Sequence, residues 1–120
     1  MPNSSSAHLP RSLSAMELHQ RLQDTPRPTI VDVREHQELA IAPFPGPVQH
    51  LPLSAAEQWM EGLAQQFDAD QPIVVLCHAG VRSWQFGCWL LAQRPELNVW
   101  NLEGGIDAWS VQIDARVPRY

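Results

Sequence analysis

Short apolar runs punctuate the chain, and the segments between them follow a helical rather than an alternating rhythm. Thr29-Ile30-Val31-Asp32-Val33 and Ile73-Val74-Val75-Leu76 are β-branched or aliphatic almost throughout, as strands buried on both faces of a parallel sheet should be, and Val99 to Leu102 is a further expected strand. A shorter extended piece is expected at Val48 to Leu51. Ser14-Ala15-Met16-Glu17 has capping-box spacing, and Leu18 and Leu22 follow at i, i+4, which predicts a helix from Ala15 to Gln23. A second match, Ser54-Ala55-Ala56-Glu57, predicts a helix running to Phe67 with Trp59, Leu63 and Phe67 along one face. Further helices are expected from Ser83 to Gln93 and from Ile106 to Ser110. Between them, Ala42-Pro43-Phe44-Pro45-Gly46-Pro47 must be loop, since its prolines remove donors and fix φ.

Buried strands alternating with helices imply an α/β domain whose parallel sheet is covered on both faces. Ligands in such sheets bind at the carboxyl ends of the strands. Asp32 stands near the end of one strand, Cys77 directly follows another, and Glu103-Gly104-Gly105 follows a third. Polar residues from three separate segments therefore converge on one edge.

Composition narrows the function classes. The 120 residues fit one domain. The net charge is −5, there is no lysine, and the eight arginines are scattered from Arg11 to Arg119. A nucleic-acid surface needs clustered cations, so no nucleic-acid partner is expected. No run approaches the ~20 apolar residues of a membrane span, so no membrane partner is expected either. Residues 1–11 have no apolar core of secretory type and are expected to form a flexible segment before a domain at 12–120, in a cytoplasmic protein. Two cysteines, Cys77 and Cys88, do not make a disulfide framework, and the histidines and cysteines lack metal-ligand spacing. No metal and no cofactor are expected.

The chemistry concentrates in Cys77-His78-Ala79-Gly80-Val81-Arg82-Ser83. A cysteine between a strand tip and a helix start sits where backbone N–H groups and the positive end of a helix dipole converge. Such surroundings favour a thiolate, whose free thiol would ionise only near pH ~8.5, and Arg82 adds a full charge. Small Ala79 and Gly80 allow the loop to curl into an anion nest around the sulfur, and Arg82 can offer a planar fork to an oxyanion. Cys88 lies at i+4 from Trp84 on an apolar helix and reads as a core residue. Trp84 is the aromatic expected to line the pocket, while His36 and His50 read as structural or surface residues.

These segments together resemble the single-domain rhodaneses, thiol-dependent sulfurtransferases. The resemblance rests on Val31-Asp32-Val33-Arg34-Glu35, on Cys77 to Ser83, and on Asn101-Leu102-Glu103-Gly104-Gly105-Ile106-Asp107-Ala108-Trp109, in that order. The stretch Ile41 to Pro52 departs from the commonest family pattern. With the tail Ile113 to Tyr120, it is similar to the rhodanese domain fused to adenylyltransferases of sulfur-carrier pathways. The resemblance implies a three-layer α/β/α fold around a parallel sheet of about five strands. It also implies that Cys77 takes a sulfane sulfur from thiosulfate or a persulfide and passes it to a thiol or cyanide. In that reading His78, Ala79, Gly80, Val81, Arg82 and Ser83 form the active loop, Arg82 steers anionic substrates, and His78 either joins it or stands in solvent. Asp32 and Arg34 brace the loop. A small-molecule sulfur donor and a sulfur-accepting protein are the implied partners.

Two other readings stand beside it. A phosphatase or arsenate reductase on the same fold would resemble a Cys-x5-Arg loop, and Arg82 is the fifth residue after Cys77, not the sixth. A non-catalytic module that recruits partners has no need of the cysteine.

Overall fold

The computed structural model describes residues 8–120, and its centre is a five-stranded parallel sheet in the order β1-β5-β4-β2-β3. The strands are β1 (Arg11–Leu13), β2 (Thr29–Asp32), β3 (Gln49–His50), β4 (Ile73–Leu76) and β5 (Val99–Leu102). The helices are α1 (Ala15–Arg21), α2 (His36–Ile41), α3 (Ala56–Trp59), α4 (Val81–Gln93) and α5 (Gly105–Gln112). β4 is the central strand. It pairs with β2 through Thr29 with Ile73 to Asp32 with Leu76, and with β5 through Ile73 with Val99 to Val75 with Asn101.

All four residues of β4 are buried because the sheet has a core on each face. Ile73, Val75 and Cys77 point into a cluster with Leu63, Phe67, Phe86, Leu90 and Val99. Val74 and Leu76 point the other way, onto Leu13, Leu18, Ile106, Trp109 and Val117. The two-residue period of a strand is what divides the side chains between these layers.

The expected strands lie where the apolar runs placed them. The capping box at Ser14 is formed, with the Glu17 N–H donating to Ser14 Oγ (3.1 Å) and the Ser14 N–H donating to Glu17 Oε1 (2.8 Å). The expected helix from Ser54 to Phe67 is not continuous. It divides into a 3-10 turn at Leu53–Ala55, the four residues of α3, and a second 3-10 turn at Leu63–Gln66. Ser54 gives both its N–H and its hydroxyl to the Glu35 carboxylate, so its capping box with Glu57 never forms. Gly62, left-handed at φ 78°, separates α3 from the second of these turns.

β1 and α2 are elements the apolar pattern did not announce. β1 is three residues at the sheet edge, with one buried side chain, and α2 buries none. Residues 1–7 of the expected flexible segment lie outside the described residues; of the remainder, Pro10 is buried and Arg11 opens β1. Among the described residues no helix is long and apolar enough to cross a membrane.

Candidate active site

Cys77 stands at the carboxyl tip of the central strand, and the loop to Gly80 feeds directly into α4. Its side chain is 1% exposed, so the sulfur is at once a core residue and the start of the loop. The Gly80 N–H donates to Cys77 Sγ at 3.1 Å; among the described residues it is the loop amide that reaches the sulfur. Ser83 Oγ lies 3.2 Å from Sγ on the other side.

The direction of that contact is set by the neighbours. Asn101 Nδ2 donates to the Gly80 carbonyl (3.0 Å), which turns Asn101 Oδ1 toward Ser83, whose hydroxyl donates to it at 2.5 Å. A serine has one hydroxyl hydrogen. With that hydrogen given to Asn101, the Cys77–Ser83 contact is an S–H donated to oxygen. Asn101 comes from β5, so the strand beside Cys77 fixes both Ser83 and the turn at Gly80.

α5 holds the loop from beneath. The Ile106 N–H donates to the Cys77 carbonyl (2.9 Å) and the Asp107 N–H to the His78 carbonyl (3.1 Å). These are N–H groups of a helix's first turn, which have no partner inside the helix. The approach is so close that a Cβ on Gly105 would stand 2.4 Å from each of those carbonyl oxygens.

Asp32 and Arg34 form a fully buried ion pair. Asp32 Oδ1 accepts from the Arg34 N–H and Nε, both at 3.0 Å, and Oδ2 accepts from Nη2 at 2.8 Å. The remaining guanidinium nitrogen, Nη1, donates to the Tyr120 hydroxyl at 3.1 Å. His50, whose Nε2 lies 2.6 Å from the Arg34 carbonyl, completes the cage. Hydrogen bonds link the pair to the loop through Tyr120 and Glu38.

Arg82 departs from the free oxyanion fork the sequence suggests. Its Nη1 and Nη2 donate to Glu38 Oε1 (2.7 Å) and Oε2 (2.8 Å), a bidentate pair. Glu38 also accepts from the Glu35 N–H (2.9 Å) and the Tyr120 hydroxyl (2.9 Å). The Arg82 guanidinium, with help from these donors, holds the Glu38 carboxyl down to about 2. Burial pushes the Tyr120 phenol up.

The other loop residues divide by exposure. His78 is half-buried and stacks on the Tyr120 ring, with centroids 4.1 Å apart and planes at 24°. Ala79 and Val81 are exposed, Val81 to 67%. Trp84 is half-buried in the first turn of α4. Cys88, expected in the core, is instead half-buried and lines a surface pocket with His8, Leu9 and Ala92; burial pushes its thiol up. Glu38, Asn101, Gly105 and Tyr120 are the site residues that the sequence did not single out by role.

A parallel α/β sheet with a cysteine loop at the tip of its central strand, held from below by a glycine-led helix, is the arrangement expected of the rhodanese class. Residues 14–112 match the family profile described as Rhodanese-like domain, and the chain belongs to that family. It is 33% identical over 113 residues to Rhodanese-like/PpiC domain-containing protein 12, chloroplastic, of Arabidopsis thaliana, covering 92% of this chain and 37% of that protein. It is 32% identical over 111 residues to Adenylyltransferase and sulfurtransferase MOCS3 of Drosophila persimilis, covering 90% of this chain and 24% of that protein. The chain thus spans about a third and a quarter of these relatives' lengths. A protein called Sulfurtransferase from Allochromatium vinosum is 35% identical over 98 residues, with 82% of this chain and 86% of that one covered. Among solved structures, a Rhodanese-like Domain Protein from Staphylococcus aureus superposes with a TM-score of 0.69 at 27% identity, covering 82% and 90% of the two chains.

Proposed function

We propose that the protein is a sulfurtransferase that carries a sulfane sulfur as a persulfide on Cys77. The observation that carries this reading is the placement of Cys77 Sγ at the tip of the central strand, within 3.1 Å of the Gly80 N–H and at the N-terminal end of α4. That N–H and the helix N-terminus stabilise the negative charge of a thiolate or persulfide there. The likeness to the Allochromatium vinosum protein, which covers most of both chains, supports the same reading.

The Cys77 thiolate attacks the outer sulfur of thiosulfate or of a persulfide donor. A bond forms between Sγ and that sulfur, the donor's sulfur–sulfur bond breaks, and sulfite or the donor thiolate leaves with the electron pair. An acceptor thiolate or cyanide then attacks the outer sulfur of Cys77–S–S⁻ and leaves with it, as a persulfide or as thiocyanate, which restores the Cys77 thiolate. Ser83 hydrogen-bonds the nucleophile, Gly80 stabilises it, and Asn101, Gly105 and Ile106 keep the loop backbone in place.

Incubation with thiosulfate should add the mass of one sulfur atom to the protein, and addition of cyanide should remove it as thiocyanate. Cys77→Ser should do neither. Thiocyanate formation by the serine variant at the parent rate would refute the assignment. A non-catalytic module is the second reading, favoured by the burial of Cys77; a parent protein that gains sulfur neither from thiosulfate nor from a persulfide donor would establish it.

A further inference from the structure

The cations around the loop are matched one to one by carboxylates. Arg82 is paired with Glu38, Arg34 with Asp32, and Arg119 with Asp107 through Nε (2.8 Å) and Nη2 (3.1 Å). Glu38 does the most here. Its two oxygens accept four hydrogen bonds, from both terminal nitrogens of Arg82, the Glu35 amide and the Tyr120 hydroxyl. Tyr120 is fixed in turn: its hydroxyl accepts from buried Arg34, its ring stacks on His78, and its neighbour Arg119 is tied to Asp107. The guanidinium that the loop spacing would offer to an anionic substrate is therefore already neutralised by a carboxylate that is itself latched.

This arrangement separates the two classes of sulfur donor. Thiosulfate is a dianion whose sulfonate end needs a formal positive charge when it leaves water. A persulfide presents one sulfur anion, which a single amide and a helix N-terminus can stabilise, and its leaving group is a thiolate with no oxyanion. We propose that Glu38, latched by Tyr120, is a specificity-determining residue that holds Arg82 away from sulfonates, so that the natural donor is a persulfide rather than thiosulfate. In the loading step the Cys77 thiolate bonds to the outer sulfur of R–S–S⁻, the donor bond breaks, and R–S⁻ departs with the pair. The inference rests on the sulfurtransferase reading.

The test measures single-turnover loading of Cys77, read by intact mass, at increasing concentrations of thiosulfate and, separately, of glutathione persulfide. Glu38→Gln removes the neutralising charge, and Tyr120→Phe removes only the latch. In Glu38→Gln the thiosulfate-to-persulfide ratio of second-order rate constants should rise about tenfold, the scale of one charge-assisted hydrogen bond gained by the sulfonate. The change should appear as a lower half-saturating thiosulfate concentration. Tyr120→Phe should move the ratio the same way by less, and it decides the matter if the glutamine variant fails to fold. A purely structural role would slow both donors alike, so an unmoved or lowered ratio in the folded variants overturns the proposal. If the parent loads sulfur from neither donor, the sulfurtransferase reading falls as well; if it loads from both and the ratio is unmoved, only the role of Glu38 falls.

Discussion

Gly105→Ala tests the contact that holds Cys77 and its loop, and Gly62→Ala is its internal control. Both glycines are left-handed, at φ 59° and 78°, so both substitutions incur the conformational cost of a side chain in that region, about 1–2 kcal/mol. They differ in what the new methyl group meets. At Gly62 nothing lies within 4 Å, whereas at Gly105 the methyl would lie 2.4 Å from the Cys77 and His78 carbonyl oxygens. Those atoms are backbone and cannot rotate aside. Opening the contact adds a packing cost of about 1–3 kcal/mol and lengthens the two hydrogen bonds from Ile106 and Asp107. Gly105→Ala should therefore lose about 2–5 kcal/mol in urea unfolding, against about 1–2 kcal/mol for Gly62→Ala. The carbonyls must retreat by a fraction of an ångström to an ångström, carrying Cys77 with them. Misplacement on that scale lowers rates by up to about a hundredfold, so sulfur loading by Gly105→Ala should fall well below that of Gly62→Ala at a temperature where both are folded. Equal stability and equal loading in the two variants would refute the account of how α5 fixes the loop.

Two further predictions concern the charges behind the loop. Asp32→Ala strands the Arg34 guanidinium without its carboxylate at a fully buried site, so unfolding in urea should show a loss of about 3–5 kcal/mol, while Asp32→Leu with Arg34→Met should recover most of it; equal losses in the two would refute the ion-pair account. The Glu38 carboxyl, held at about 2 against an ordinary 4.5, contributes stability that is complete above the ordinary value and is lost as pH falls through about 2. Because the Arg82 side chain is 34% exposed, solvent screening reduces that contribution to about 1–2 kcal/mol. Unfolding free energy between pH 5 and pH 2 should fall less steeply for Glu38→Gln than for the parent, and coincident slopes would exclude the pair as the source.

Legibility in the chain depends on which interactions are local. The buried strands are visible because a parallel strand covered on both faces needs a continuous apolar run, and Ile73 to Leu76 is one. The Ser14 helix is visible because both partners of its capping box lie within four residues. The Ser54 motif is equally regular yet misleads, since Glu35, nineteen positions earlier, captures the same hydroxyl and amide. Cys77 and its loop are marked by their place between a strand tip and a helix start and by the small residues that follow. The occupancy of Arg82 is not, because its partner Glu38 lies forty-four positions away on a six-residue helix with no apolar stripe. Asn101 offered a usable signal, an amide side chain in a buried strand, which needs a polar partner. Tyr120 offered none, because its role depends on the tail returning through Val117, buried in the core, to the loop.

The hydrogen-bond directions around Cys77 place a condition on the proposed sulfur-loading step. In the resting arrangement Ser83 gives its hydrogen to Asn101 and receives one from the thiol. A thiolate has no hydrogen to give, so ionisation leaves the Ser83 oxygen facing an anion lone pair to lone pair. The contact becomes favourable again when the hydroxyl turns its hydrogen from Asn101 Oδ1 to the sulfur, which adds a second donor to that of Gly80. Asn101 remains in place through Nδ2 and the Gly80 carbonyl, so this rotation needs no movement of the backbone. Ser83 and Asn101 thereby allow one buried geometry to serve both the thiol and the thiolate of Cys77. Alanine at position 83 would keep the loop's shape but leave the thiolate a single hydrogen-bond donor.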